Sequence, residues 1–299
     1  MSVLSGRRAQ LTHPDRILWP QDGITKAELV SYLTAVADAM LPHLRDRPLS
    51  LTRFPRGIQS GGFYQKNAPP YTPAWITTYT FSHGDREVHY ILCQDLATLQ
   101  WLGNQAVIEI HSWLSRAPNP YVPDFAVIDL DPDPPAGFAE AVQAALLVKR
   151  VLDAFGLRGY PKTSGATGVH IYVPVEPRYT YATLAAFVGA VGDLLRESVP
   201  WLVTRERAVA RRGGKLYVDH LQNVLGKTLV APYSPRPLDG APVSAPLRWE
   251  ELPAVSPHMF TIRTMPARLA QVGDLFQEVL TDRQDIDAAV RQLGLHLQV

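Results

Sequence analysis

An α+β fold with a βαββαβ core is predicted by three observations. Between residues 125 and 220, short apolar stretches with period two are interleaved with two long stretches of period 3.6. They fall in the order strand, helix, strand, strand, helix, strand, the split βαβ or ferredoxin-like (RRM-like) plan. Upstream, capped helical stretches and one alternating stretch add helices and strands on the N-terminal side.

The elements follow in order. ITKAELVSYLTAVADAML reads as one helix, opened by a Thr25/Glu28 capping box, with Leu29, Tyr32, Leu33, Val36 and Met40 on one stripe. DLATLQWLGNQA is a second helix capped by Asp95. VIEIHSW alternates as a strand, which puts Glu109 and His111 on one face. FAVIDLD is the first core strand, and GFAEAVQAALLVKRVLDAFG a helix closed by Gly156. GYPKT and GVHIYVPV are strands about the turn SGATG, TYATLAAFVGAVGDLLRES is the second core helix, and KLYVDH is the last core strand. DRQDIDAAVRQLG returns to helix. The expected organisation is a single domain. It has an N-terminal lobe over about 1–120, a core over about 121–240 and a helical tail over about 241–299.

Composition narrows the class. With 46% hydrophobic and 19% charged residues the chain reads as soluble and globular. A net charge of +1 gives no global pull toward nucleic acid or anionic lipid, so any such attraction is local. The one cysteine, Cys93, excludes an internal disulfide and a multi-cysteine zinc cage. The N-terminal stretch has no apolar signal region, and nowhere do about 18 uncharged apolar residues run together. The expectation is a cytoplasmic protein without a membrane partner.

FAVIDLDPDP drives an apolar strand into three aspartates. Asp129 and Asp131 share a face, while Pro132 and Pro134 leave Asp133 in a turn. Such carboxylates form either a hard-oxygen site for Mg²⁺ or Mn²⁺, or a proline-rich turn that caps the next helix. Asp219 ends KLYVDH, and in the ferredoxin-like order the first and last strands are neighbours. Asp129, Asp131 and Asp219 then form a candidate two-metal centre.

In TSGATGVH, Gly165 and Gly168 let backbone N–H groups converge on an anion, with Ser164 and Thr167 adding hydroxyls and His170 following; a plain hairpin turn is the alternative. RERAVARRGGK sets Arg205, Arg207, Arg211, Arg212 and Lys215 against one acid, either as a solvated face or as a phosphate-binding surface. Arg236 is a second phosphate candidate. Phe63 and Tyr64, in the loop GGFYQKNAPPY, are candidate stacking platforms for bases.

Taken together, THPDRILWP, GITKAELVSYL, FYQKNAP, IEIHSW, DLDP, TSGATGVHIYVP, VDHLQN and GKTLVAPYSPR resemble the primase-polymerase family. Within it they are similar to the polymerase domain of bacterial DNA ligase D, used in non-homologous end joining. The resemblance covers nearly the whole chain and implies a primase-polymerase fold and a nucleotidyltransferase that extends DNA primer ends at gaps and breaks. It implies that Asp129, Asp131 and Asp219 are the catalytic ligands of two Mn²⁺ or Mg²⁺ ions. His111, Ser164, Gly165, His170 and Arg236 would hold the incoming NTP or dNTP, with Arg53 and Arg212 as further candidates. Arg16 and Lys26 would grip a DNA 5′-phosphate. For Lys26 the first turn of its helix, with free N–H groups, points the same way. Phe63 and Tyr64 would stack on template DNA. A lysine usual in the family's glycine loop is replaced here, where Ala166 and Thr167 stand.

The resemblance further implies a preference for ribonucleotides, nucleoid association, and Ku and a separate ATP-dependent DNA ligase as candidate partners. PLDG at Pro237–Gly240 lacks the lysine of a ligase nucleophile motif. The expectation is therefore a polymerase domain, stand-alone or cut from a longer chain, without a ligase or nuclease module. A primase starting chains de novo and a non-catalytic DNA end-bridging module are the competing readings.

Overall fold

The computed structural model describes residues 10–296. The chain forms two compact units. One contains the described residues up to Pro118 together with Thr228–Ser244 and His258–Asp274; the other contains Asn119–Lys227, Ala245–Pro257 and the residues from Leu275 on. The stretch after about residue 240 is thus divided between the units. Among the described residues no helix is long and apolar enough to cross a membrane.

In the first unit the strand Val107–Trp113 lies between Leu49–Arg53 and Thr228–Val230 in a six-stranded sheet. Ile108 and Ile110 are fully buried on one face, and His111 and Glu109 fall on the other. The capping box forms as expected, with Thr25 accepting from the Glu28 N–H and Glu28 accepting from the Thr25 N–H. The single expected helix is instead two, Lys26–Ala35 and Ala37–Leu44. Val36 takes a non-helical conformation between them, and the Leu29, Tyr32, Leu33, Val36 and Met40 stripe stays buried across the break. Phe63 and Tyr64 lie on a short strand, Phe63–Gln65, paired to Leu49–Arg53, and not in a loop. The pairing organises residues that glycine and proline content alone assigns to loop.

The second unit holds a five-stranded sheet in the order Tyr160–Thr163, Val169–Pro174, Phe125–Pro132, Leu216–Asp219, Val203–Thr204. Its first four strands are the antiparallel core that the sequence predicts, and the first and last of these in sequence are neighbours. Val203–Thr204 adds a parallel edge of two residues, too short to carry a periodic signal. The helix Phe138–Ala154 buries Ala141, Ala144, Ala145, Val148 and Leu152, a stripe at helical spacing whose small residues let it settle close on the sheet. Tyr181–Ser198 does the same at Gly192, where an added Cβ would sit 3.2 Å from Val218 Cγ1. Both helices cover the face of Leu130 and Val218. The alternation of strand side chains leaves Asp129, Asp131 and Asp219 on the opposite face.

The ladder between Phe125–Pro132 and Leu216–Asp219 stops at the Asp129–Asp219 pair. Beyond it, the Asn223 side chain substitutes for a strand. Its Oδ1 accepts from the Val127 N–H at 2.8 Å, and its Nδ2 donates to the Val127 carbonyl at 2.8 Å. Asn223 is fully buried. Asn223→Ala would strand both backbone groups, and is expected to lower unfolding stability by about 2–4 kcal/mol in chemical denaturation. A change under about 0.5 kcal/mol, typical of a surface site, would contradict this role.

Candidate active site

On the face of the second unit's sheet opposite the two helices, cross-strand pairing sets His170, Asp129 and Asp219 side by side, with Asp131 two residues along from Asp129 and opposite Tyr217. His170 Nε2 is 3.4 Å from Asp129 Oδ1. Burial, followed by the charges of Asp219 and Asp131, pushes the Asp129 carboxyl up to about 7, against the opposing pull of Lys162. A buried carboxylate whose charge is disfavoured first by burial and then by two neighbouring acids belongs to a donor set suited to a hard divalent cation. The chemistry fits Mn²⁺ or Mg²⁺.

The side chains do not converge as expected. Among the described residues no group of three or more His, Cys, Asp or Glu side chains is placed to hold a metal ion. Asp131 Oδ2 accepts from Arg212 Nη1 at 2.9 Å, and Arg212 lies over the Tyr217 ring at 4.4 Å. Asp219 Oδ1 accepts from the Leu221 N–H at 2.9 Å, capping the short helical turn His220–Gln222. Asp131 and Asp219 thus each have a local donor on one carboxylate oxygen.

The glycine loop also departs from expectation. Ser164 Oγ accepts from the N–H groups of Ala166 and Gly168, at 3.1 and 3.0 Å, so these do not project toward an outside anion. The loop is instead closed on its own serine. Gly165 has φ +76°, a conformation that favours glycine. At Gly168 the reason for glycine is space: a Cβ would lie 2.6 Å from the Leu130 carbonyl oxygen, between the two strand aspartates. Of the basic run, Arg205 turns back onto Asp193 and the Gly189 carbonyl, and Lys215 onto the Pro200 carbonyl. Arg212 reaches an aspartate of the site, Asp131.

In the first unit, Glu109 joins His111 and Arg236. Arg236 Nε lies 2.8 Å from Glu109 Oε1, and His111 Nε2 lies 3.5 Å from Oε2. Burial works against the Glu109 charge, but the hydrogen bond from His111 and the Arg236 guanidinium outweigh it and hold the carboxyl at about 2. Tyr64 meets His111 edge to face at 6.3 Å and bonds Thr228 Oγ1 through its hydroxyl at 3.0 Å. Phe63 and Tyr64 are both about half exposed, as stacking platforms must be.

Arg16, Lys26 and Arg53 line one open depression with Thr12, His13 and Asn104. Lys26 is buried, with its Nζ bonded to Thr12 Oγ1 and to the carbonyl and side-chain oxygens of Asn104. Burial, then the charge of Arg16, lowers its pKa. The expected free N–H groups at this helix start are taken. Lys26 N–H donates to the Arg16 carbonyl, Ala27 N–H to the Pro14 carbonyl and Glu28 N–H to Thr25 Oγ1. What the depression offers an anion is the Arg16 side chain and a shared positive field, not a bare helix terminus. Arg53 bonds the Gln105 carbonyl, Gln65 and Tyr71, and lies 5.3 Å from the Phe63 ring centre. It supports the Phe63–Gln65 strand.

Sequence reasoning missed two residues. Lys162 lies fully buried beside His170, and Glu109 is the hub of His111 and Arg236. Alternation in GYPKT and VIEIHSW assigns their faces, but only strand register reveals their partners.

Residues 25–276 match the family described as the LigD primase-polymerase domain. The chain is 37% identical to the bifunctional non-homologous end joining protein LigD of Bacillus subtilis, over 96% of this chain and 47% of that protein. It is 33% identical to the multifunctional non-homologous end joining protein LigD of Pseudomonas aeruginosa, over 95% of this chain and 34% of that protein. The chain thus spans less than half the length of these curated relatives. Among solved structures, the polymerase domain from Mycobacterium tuberculosis ligase D in complex with DNA superposes with a TM-score of 0.86 at 30% identity, covering 93% of this chain and 99% of that one.

Proposed function

Because the chain belongs to the family of LigD primase-polymerase domains, we propose that it is a DNA-directed nucleotidyltransferase of end joining, extending primer ends at gaps and double-strand breaks. The observation that carries this reading is the direct pairing of Asp129 with Asp219, with Asp131 on the same face. Asp129, Asp131 and Asp219 would hold two Mn²⁺ or Mg²⁺ ions, and the chemistry these supply when bound is activation of the primer 3′-hydroxyl and neutralisation of charge on the leaving pyrophosphate.

The protein's own groups bind and orient. His170, with the self-closed Ser164 loop behind it, presents a ring nitrogen at the carboxylate face to hold the nucleotide. Arg236 and His111, both fixed by Glu109, offer preorganised donors to a triphosphate. Arg212 is released toward phosphate when Asp131 turns away, and Arg53 acts through the strand it supports. Phe63 and Tyr64 stack on template DNA. Arg16 takes a downstream 5′-phosphate, and Lys26 joins it by exchanging Thr12 or Asn104 for a phosphate oxygen. The DNA bound by the Mycobacterium tuberculosis domain supports a nucleic-acid partner. Ribonucleotides are the favoured substrates, Ku and an ATP-dependent ligase the partners, and the cytoplasmic nucleoid the place of action.

Primer extension on a primed template tests this reading. Extension is expected only with Mn²⁺ or Mg²⁺ present, and is expected to vanish in Asp131→Ala. DNA-end binding without extension by the wild-type chain would overturn it in favour of an end-bridging module.

A further inference from the structure

The row of side chains on the face of the second unit's sheet opposite the two helices continues past His170. Lys162 stands directly opposite His170 on the next strand, as His170 stands opposite Asp129. Lys162 Nζ lies 2.9 Å from His170 Nδ1, and 5.7 Å from the centre of the Tyr172 ring. The lysine is fully buried. Its strand is held on the outer side too: Thr163 N–H donates to the Ala245 carbonyl, and Leu247 N–H to the Pro161 carbonyl. Lys162 thus sits on a strand bonded on both sides, with its ammonium shielded from water.

Burying an ammonium is costly unless charges and hydrogen bonds around it compensate. One compensating charge is Asp129, whose carboxyl the lysine pulls down, and between lysine and carboxylate lies an imidazole. An ammonium has donors only. The ring nitrogen that faces it must accept, so the ring proton sits on Nε2, the end 3.4 Å from Asp129 Oδ1. We propose that Lys162 is a positioning residue that fixes His170 as its Nε2–H tautomer, aiming a donor and the field of a buried ammonium at the carboxylate face. The effect on nucleotide binding rests on the function proposed above. The tautomer does not.

Two readouts test the proposal on the full chain. The first is the ¹⁵N spectrum of histidine-labelled protein, with His170 assigned by difference from His170→Gln. In the wild type, Nδ1 is expected at the shift of an unprotonated nitrogen and Nε2 at that of a protonated one. The second is steady-state primer extension. Lys162→Met keeps the apolar stem, and is expected to lose the tautomer preference and raise the KM for nucleotide about tenfold, with kcat changed less than about threefold. Lys162→Arg keeps a donor and is expected to recover most of both.

A wild-type His170 protonated on Nδ1 overturns the proposal. So does a folded Lys162→Met chain whose tautomer and KM both match wild type. If Lys162→Met does not fold, the wild-type spectrum and Lys162→Arg decide. An Nε2–H tautomer in a chain that extends no primer supports the positioning role and counts against the polymerase reading, so the two failures are distinguishable.

Discussion

Replacing Asp129 with asparagine is expected to slow primer extension by at least about 10³-fold and, in the same protein, to raise its stability near pH 8 with divalent ions chelated. The loss follows from removing the carboxylate that faces Asp219 across the strands and shares a face with Asp131. The gain follows from where that carboxylate sits. Burial and the charges of Asp219 and Asp131 raise its pKa from the ordinary 3.8 to about 7. Between those values the native state holds a proton that the unfolded chain releases, so stability falls as pH rises. Above pH 7 the full penalty is present, with a ceiling of about 4 kcal/mol. Asparagine carries no charge and escapes it. Denaturant melts of both proteins from pH 4 to 8 should therefore diverge as pH rises, with the variant the more stable. A variant less stable than wild type at pH 8 would show that Asp129 is held in place for the fold and not for chemistry.

Gly168→Ala is expected to cost about 2–4 kcal/mol of stability and about 100-fold or more in rate. The added Cβ would meet the Leu130 carbonyl at 2.6 Å, and that contact is with backbone, which cannot rotate away. Relief requires the loop to move off the strand that carries Asp129 and Asp131. Gly168 N–H would leave Ser164 Oγ, and His170, two residues on, would shift against Asp129. Stability and rate should fall together, which separates this change from Asp129→Asn, where they move in opposite directions. Wild-type rate and melting for Gly168→Ala would mean that the loop has slack at the strand.

Those contrasting effects mark what the sequence made legible. Period-two and period-3.6 patterns locate the core strands and helices, and the usual strand order for that plan puts Asp219 beside Asp129, as the sheet does. Caps were equally readable, because Thr25, Glu28 and Asp95 act on residues three positions away. Interactions between distant residues were not. Nothing near Asp131 in sequence announces Arg212, and nothing near Lys26 announces Asn104, yet these partners decide where the two side chains point. The break at Val36 and the two-residue strand at Val203 fall below the length at which periodicity speaks. Ser164 shows the same limit at short range. A loop of small and glycine residues looks like an anion cradle until its hydroxyl is seen to take the N–H groups itself.

The most direct test of the central claim is extension of a primer across a short gap, with the downstream strand carrying either a 5′-phosphate or a 5′-hydroxyl. If Arg16 takes the 5′-phosphate in the depression it lines with Lys26, the phosphorylated substrate should be extended faster, by about tenfold at moderate salt, and that advantage should be lost in Arg16→Ala. Equal rates on both substrates, with chains also started on unprimed template, would contradict the account and identify a primase.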